Sequence, residues 1–193
     1  MKTEPWLTEW LPLIQRCPKS LAFDIGANDG SWTQFLATGF DRVVSVEPDE
    51  RCQPPEGVTY DRRAVWREPG EWTLFRRANA LQTSLLADHP VGDGLKQVDV
   101  VEESAVQCVT LDELAREHGQ PSFLKIDIEG AEIEALVGAT LPCFGLCDWL
   151  IELHDTRDRV IPELARLGYE EVRIIPHPFP NAGKGHEWLY ATR

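Results

Sequence analysis

The stretch Leu21-Ala22-Phe23-Asp24-Ile25-Gly26-Ala27-Asn28-Asp29-Gly30-Ser31-Trp32 limits the fold more than any other part of the chain. Residues 21–25 are a short apolar run that reads as a buried strand, and residues 31–38 read as a helix stopped by Gly39. Between them, Gly26 and Gly30 permit a tight turn and a close backbone approach. A strand that hands over directly to a helix belongs to a crossover unit, whose next strand returns parallel to the first.

The alternation continues. Residues 42–46 and 58–60 read as further strands, and 71–75 and 98–109 as antiparallel strands or a hairpin. Thr110-Leu111-Asp112-Glu113 is a capping box that opens a helix ended by Gly119. Residues 122–128 are the best buried strand, followed by a helix over 131–137 with Ile133, Leu136 and Val137 inward. A strand over 148–153, a helix over 157–167 disturbed by Pro162, and strands over 169–175 and 187–191 complete the pattern. With 193 residues and neither repeat nor linker, the chain is expected to be one α/β domain on an open, mainly parallel sheet. Its additions are an N-terminal helical extension (1–20), a polar loop (76–97) and a Pro/Gly loop (176–185). In the extension Trp6, Leu7, Trp10, Leu11 and Ile14 recur at helical spacing, as a helix packed on the core or a lid over a site.

Composition narrows the function. A net charge of −13 argues against a nucleic-acid partner, which would call for a basic footprint. No apolar run reaches the ~18 residues of a membrane span, and Met1 to Pro5 show no secretory pattern, so a cytoplasmic protein is expected. The 5 cysteines, an odd number without a C-x-x-C pair, read as buried free thiols rather than a zinc site.

The turn has the spacing Gly26-x-Asn28-x-Gly30, not the Gly-x-Gly-x-x-Gly of a dinucleotide site. Asp24, Asp29 and Glu47 surround it with negative charge that a diphosphate would disfavour and a cationic or zwitterionic ligand would not. Glu47 ends the second strand, where an acid accepts both hydroxyls of an adenosine ribose. A second cluster ends the later strands. Strand alternation puts Lys125, Asp127 and Glu129 on one side, and Glu152 and His154 likewise share a side. Ligands of open α/β sheets sit beyond the carboxyl ends of the strands, which gathers Asp24, Glu47, Asp127, Glu129, Glu152 and His154 around one crevice.

Phe23 to Gly30, Val46-Glu47-Pro48, Val109 to Leu114, Leu124-Lys125-Ile126-Asp127-Ile128-Glu129-Gly130-Ala131-Glu132 and Glu152-Leu153-His154 together resemble the FkbM family of S-adenosylmethionine-dependent methyltransferases. The resemblance implies a Rossmann-like methyltransferase fold: a seven-stranded, mostly parallel sheet flanked by helices. It also implies methyl transfer to a hydroxyl of a small-molecule acceptor, such as a sugar, another glycan or a natural-product scaffold. By position, Gly26, Asn28 and Gly30 would wrap the methionine end, Glu47 would hold the ribose, and Ala64 and Val65 would meet the adenine edge. Asp24 and Asp127 complete the candidate cofactor set. Trp66 departs from a slot that is more often small or polar.

Methyl transfer from a sulfonium is an in-line displacement, and a hydroxyl acceptor needs a base. His154 is the first candidate because an ordinary imidazole titrates near ~6.5; Asp127 and Glu129 are the alternatives. Asp127, Glu152 and His154 can also offer ligands to a divalent ion such as Mg²⁺, but their spacing does not demand one. His89, His118, His177 and His186 are expected to form no constellation. Acceptor specificity is expected in the loop 76–97, with Asn79, Gln82, Thr83, Ser84, His89 and Asp93. The rival readings are a catalytically inactive nucleoside-binding module and an NAD-dependent oxidoreductase. The sequence leaves the oligomeric state open.

Overall fold

A computed structural model of the chain describes residues 10–53, 55–79, 82–88, 99–177 and 186–192. A sheet of seven strands runs in the order β3-β2-β1-β7-β8-β10-β9. Its members are β1 (Leu21–Ile25), β2 (Arg42–Val46), β3 (Thr59–Asp61), β7 (Phe123–Ile126), β8 (Asp148–His154), β9 (Val172–Pro176) and β10 (His186–Ala191). The five strands from β3 to β8 are parallel, and β10 runs antiparallel to both β8 and β9. A second sheet holds β4 (Ala64–Val65), β5 (Gly70–Arg77) and β6 (Val100–Val109), with β5 and β6 antiparallel as expected.

Alternation along the strands decides where the site lies. Leu21, Phe23, Ile25, Val44, Val46, Leu124, Ile126, Trp149, Ile151 and Leu153 point to one face. There they meet α3 (Leu111–His118), α4 (Glu132–Val137) and α5 (Arg157–Arg166) through Leu111, Leu114, Ile133, Leu136, Val160 and Leu164. The opposite face carries Ala22, Val43, Phe123, Leu150, Trp188 and Tyr190 under α1 (Leu11–Ile14) and α2 (Ser31–Leu36). With a period of two, the interposed polar residues Asp24, Ser45, Lys125, Glu152 and His154 share this second face. Burial therefore forces them to satisfy one another.

The capping box at Thr110 is formed in both directions. Val137 is not inward but 38% exposed, because Ile133, Ala135 and Leu136 already fill the buried stripe of the short α4. The described part of the N-terminal extension packs inward. Trp10 lies against Trp32 and Trp188, with ring centroids 6.1 and 5.4 Å away, and Ile14 is buried beside it. Trp6 and Leu7 lie outside the described residues, as do His89, Asp93 and most of the Pro/Gly loop. Cys17, Cys52, Cys108 and Cys147 are buried and Cys143 is half-buried, all as free thiols.

Candidate active site

At the carboxyl end of the parallel strands, a solvent-open cleft is lined by Gly26, Asn28, Glu47, Ala64, Val65, Asp127 and Glu129. Thr83, Ser84 and Leu85 close one side, and Ile25, Val46, Leu74, Ile128 and Ala131 add apolar wall. Most of the expected site residues thus meet in one space. Asp24, Gly30, Glu152 and His154 do not line it.

Glu47 is held from two sides. Its Oε2 accepts from the Asn28 backbone N–H at 3.0 Å and its Oε1 from that of Asp49 at 2.8 Å. Burial pushes the carboxyl up from its ordinary range, and these two backbone donors oppose that shift. The carboxylate is therefore oriented before any ligand arrives, with lone pairs left over on both oxygens. Asn28 itself takes φ 45°, a left-handed backbone that a non-glycine residue adopts at some cost.

The chain itself leaves no room for a side chain at Gly26 or Gly30. A Cβ on Gly26, at φ +75°, would stand 1.8 Å from the Asp127 carbonyl oxygen. One on Gly30, at φ +80°, would stand 2.6 Å from the Pro55 ring. The first contact lets the β1 turn lie directly on the end of β7, tied there by Asp127 N–H to Ile25 O at 3.1 Å, while Gly26 N–H to Val46 O at 2.9 Å ties it to the end of β2.

Asp24 lies beneath this turn, fully buried, where it accepts from Thr33 Oγ1 at 2.6 Å and lies 3.2 Å from Lys125 Nζ. Lys125 Nζ also donates to the Gly26 carbonyl at 2.6 Å and lies 3.4 Å from Asp127 Oδ2. Burial alone would pull the lysine down, but Asp24 and Asp127 outweigh it and hold the pKa above its ordinary value. Asp24 thus supports the floor of the cleft, with Lys125 as its counter-charge.

His154 sits behind Asp127 and Glu129 and is 1% exposed. Its Nδ1 is 3.0 Å from Glu132 Oε1. Glu132, fully buried, also accepts from Gly130 N–H at 2.9 Å and Thr156 Oγ1 at 3.0 Å. An ionised carboxylate only accepts, so Nδ1 carries the hydrogen. Nε2 faces Glu129 Oε2 at 3.5 Å, Asp127 Oδ1 at 3.9 Å and Glu152 Oε1 at 4.0 Å. Burial disfavours a charged imidazole here, yet Glu129 and Glu132 raise its pKa well above the ordinary histidine value. Asp127 is raised well above an ordinary carboxyl by burial and by Glu152. Glu152 is lowered: burial works against it, and bonds from His177 and His186 prevail.

Two expectations need correction. Glu129 does not share a side with Asp127 by strand alternation, because β7 ends at Ile126 and Glu129 takes φ 55° in the following turn. That turn, not the pleat, brings it to the cleft. His177 and His186 do belong to a constellation: they lie 3.2 and 3.8 Å from Glu152 Oε1. The antiparallel return of β10 sets His186 in register with His154. Trp66 turns away from the cleft and packs on Trp72 at 5.0 Å.

A model of the methyltransferase FkbM domain matches residues 24–171. The chain belongs to the FkbM methyltransferase family. No curated protein matches it. Among solved structures, a precorrin-8W decarboxylase from Methanobacterium thermoautotrophicum is similar with TM-score 0.52 and 13% identity, over 100% of this chain and 92% of that one. A precorrin-6y C5,15-methyltransferase from Geobacter metallireducens gives TM-score 0.50 and 12% identity, over 100% and 91%. These likenesses show the fold alone, the Rossmann-like methyltransferase sheet. S-adenosylmethionine is the cofactor of the FkbM family.

The donor set of this FkbM-family chain fits that cofactor. Glu47 suits a vicinal diol, the wall of Val65, Leu74, Leu85, Ile128 and Ala131 suits a flat base, and Asp127 and Glu129 suit a cationic end. Sequence reasoning missed Arg77, whose side chain is fully buried. It donates to the carbonyls of Gln82 at 3.1 Å, Leu86 at 3.4 Å and Ala87 at 2.7 Å. Those bonds fold the segment with Thr83, Ser84 and Leu85 against the cleft, and Ser84 Oγ donates to the Glu129 carbonyl at 2.9 Å. A strand-end arginine before a polar loop was the available signal.

Proposed function

We propose that the chain transfers the methyl group of S-adenosylmethionine to a hydroxyl of a small-molecule acceptor of the sugar or natural-product type. The observation that carries this reading is the cleft that joins the pre-oriented Glu47 at one end to Asp127 and Glu129 at the other. Glu47 takes the ribose hydroxyls, Ala64 and Val65 flank the adenine, and Asn28 with the Gly26 backbone follows the amino-acid portion. The bound cofactor supplies an activated methyl group.

The chain's residues align the acceptor oxygen with that methyl group and take its proton. Asp127 serves as the base because its side chain reaches the cleft while Lys125 fixes one oxygen, 3.4 Å away. His154 and Glu129 are its partners, with His154 acting as a positioning residue from behind. Thr83 and Ser84 offer hydroxyls to the acceptor from the loop that Arg77 holds.

The test combines calorimetry and product analysis. S-Adenosylmethionine and S-adenosylhomocysteine should bind, and NAD should not. A panel of hydroxylated metabolites should yield a product heavier by one CH₂. Asp127→Asn should lower turnover ~10²–10⁴-fold, the usual size of general-base catalysis. Binding of NAD in place of S-adenosylmethionine would overturn the reading; cofactor binding with full Asp127→Asn activity would remove only the base assignment.

A further inference from the structure

We infer that Glu152, His154 and His186 form a binding site for one divalent transition-metal ion behind the Asp127 and Glu129 wall of the cleft. One ligand atom from each of the three lies within 4.8 Å of the others. His154 Nε2 and His186 Nδ1 stand 4.0 and 3.8 Å from the same oxygen, Glu152 Oε1. Donors held about 2.1 Å from a common ion are about 3.0–3.4 Å apart as neighbours and about 4.2 Å apart when opposite. The observed separations are within reach of that geometry through small side-chain shifts.

Three further features point to a metal. The first is the support behind His154. Its Nδ1 is committed to the buried Glu132, which Gly130 and Thr156 hold in turn. A histidine whose second nitrogen is fixed by an anchored carboxylate is the usual arrangement behind a metal-binding imidazole. The second is the scaffold: Glu152 and His154 alternate on β8, and β10 sets His186 directly opposite His154. All three ligands therefore stand on paired strands rather than on a loop. The third is the surroundings. Asp127 and Glu129 lie 3.9 and 3.5 Å from His154 Nε2, and His177 lies 3.2 Å from Glu152. These groups can complete the coordination from the cleft side or bind a metal-held water.

Two other groupings among the described residues are weaker. Asp61, Glu117 and His118 also lie close together, but Arg63 already bridges both carboxylates, at 2.6 and 2.5 Å. Asp127, Glu129 and His154 form a third set, in which Lys125 sits beside Asp127. Two imidazoles with one carboxylate favour Zn²⁺, Co²⁺, Fe²⁺ or Mn²⁺ over Mg²⁺ or Ca²⁺, which prefer oxygen donors alone. Beside Asp127, the ion would bind the acceptor's oxygen and lower its pKa. That role rests on the methyl-transfer reading; the site itself does not, and it can be tested with neither cofactor nor acceptor.

The experiment titrates the chelator-treated full chain with Co²⁺ and follows its visible ligand-field absorption, with Zn²⁺ competition measured by calorimetry. The wild type should bind one Co²⁺ per chain and lose the band when Zn²⁺ is added. His186→Gln and Glu152→Gln should each weaken binding at least ~30-fold, while His118→Gln binds as the wild type does. X-ray absorption on the wild-type zinc form, which needs no variant to fold, should show two imidazole ligands. The inference is overturned if the wild type gives no saturable band, if His186→Gln binds as tightly as the wild type, or if the zinc form shows fewer than two imidazoles.

Discussion

Replacing Gly26 with alanine tests the closest contact in the site. The added methyl would be built 1.8 Å from the Asp127 carbonyl oxygen, 2.8 Å from its carbon and 3.0 Å from Ile128 Cγ2. Ordinary contact needs well over an ångström more, so the turn or the end of β7 must move. Either motion strains Gly26 N–H to Val46 O, Asp127 N–H to Ile25 O or Lys125 Nζ to Gly26 O. The left-handed φ of +75° costs an alanine roughly 1–2 kcal/mol, and one spoiled buried hydrogen bond costs about 1–3 kcal/mol more. The expected loss is therefore about 2–5 kcal/mol of folding stability. Gly57 is the matched control: its φ is +79°, and nothing lies within 4 Å of its missing Cβ. Gly57→Ala should lose only the backbone part, about 1–2 kcal/mol. Urea unfolding of both variants gives the comparison, and calorimetry with S-adenosylmethionine gives the accompanying loss of affinity. Equal destabilisation of the two variants would refute the argument, because the Asp127 contact would then carry no weight.

Glu47→Ala should weaken S-adenosylmethionine binding by roughly 1.5–3 kcal/mol. It should also lower the melting temperature without cofactor, since the backbone N–H groups of Asn28 and Asp49 lose their acceptor; calorimetry and thermal unfolding read the two effects separately. Lys125→Met leaves Asp24 buried without its counter-charge and should cost about 3–5 kcal/mol, measured by urea unfolding. Adding Asp24→Asn should recover a good part of that loss. Asp49 and Arg51 contribute to acid stability. Burial would raise the Asp49 carboxyl, but Arg51 outweighs it and holds the pKa below the ordinary value. The stabilisation is then complete above the unfolded carboxyl's pKa and is lost as pH falls through the lower folded one. Arg51→Ala should move the acid-unfolding midpoint, followed by circular dichroism, to higher pH.

The strands and the cradle were legible because they follow local rules. A five-residue apolar run before Gly26, the capping box at Thr110, and acids at strand ends need no knowledge of distant partners. Asp24 was visible as a polar residue in an apolar strand, but its partner was not. The two are neighbours in register because β7 pairs with β1 across 101 residues of chain, and only the topology says so. The sequence shows no constellation at His177 and His186 for the same reason. Their meeting with Glu152 depends on the antiparallel insertion of β10 beside β8. Glu129 was placed correctly but for the wrong cause, since a left-handed turn rather than the pleat directs it. Arg77 escaped because a fully buried guanidinium whose partners are carbonyls leaves no charge pattern in the sequence.

The position of β10 between β8 and β9 also bears on how the molecule is made. A ribosome delivers β9 before β10, so β9 has no neighbour to pair with until the last strand of the sheet arrives. Until then β8 presents an open edge, and Trp10 and Trp32 wait for Trp188. The elements carrying Gly26, Glu47 and Asp127 are synthesised well before this, and His186 comes with the closing strand. The two ends of the site therefore mature at different times during synthesis: the nucleoside end can assemble on a nascent chain, and the histidine end is completed only with the closing strand.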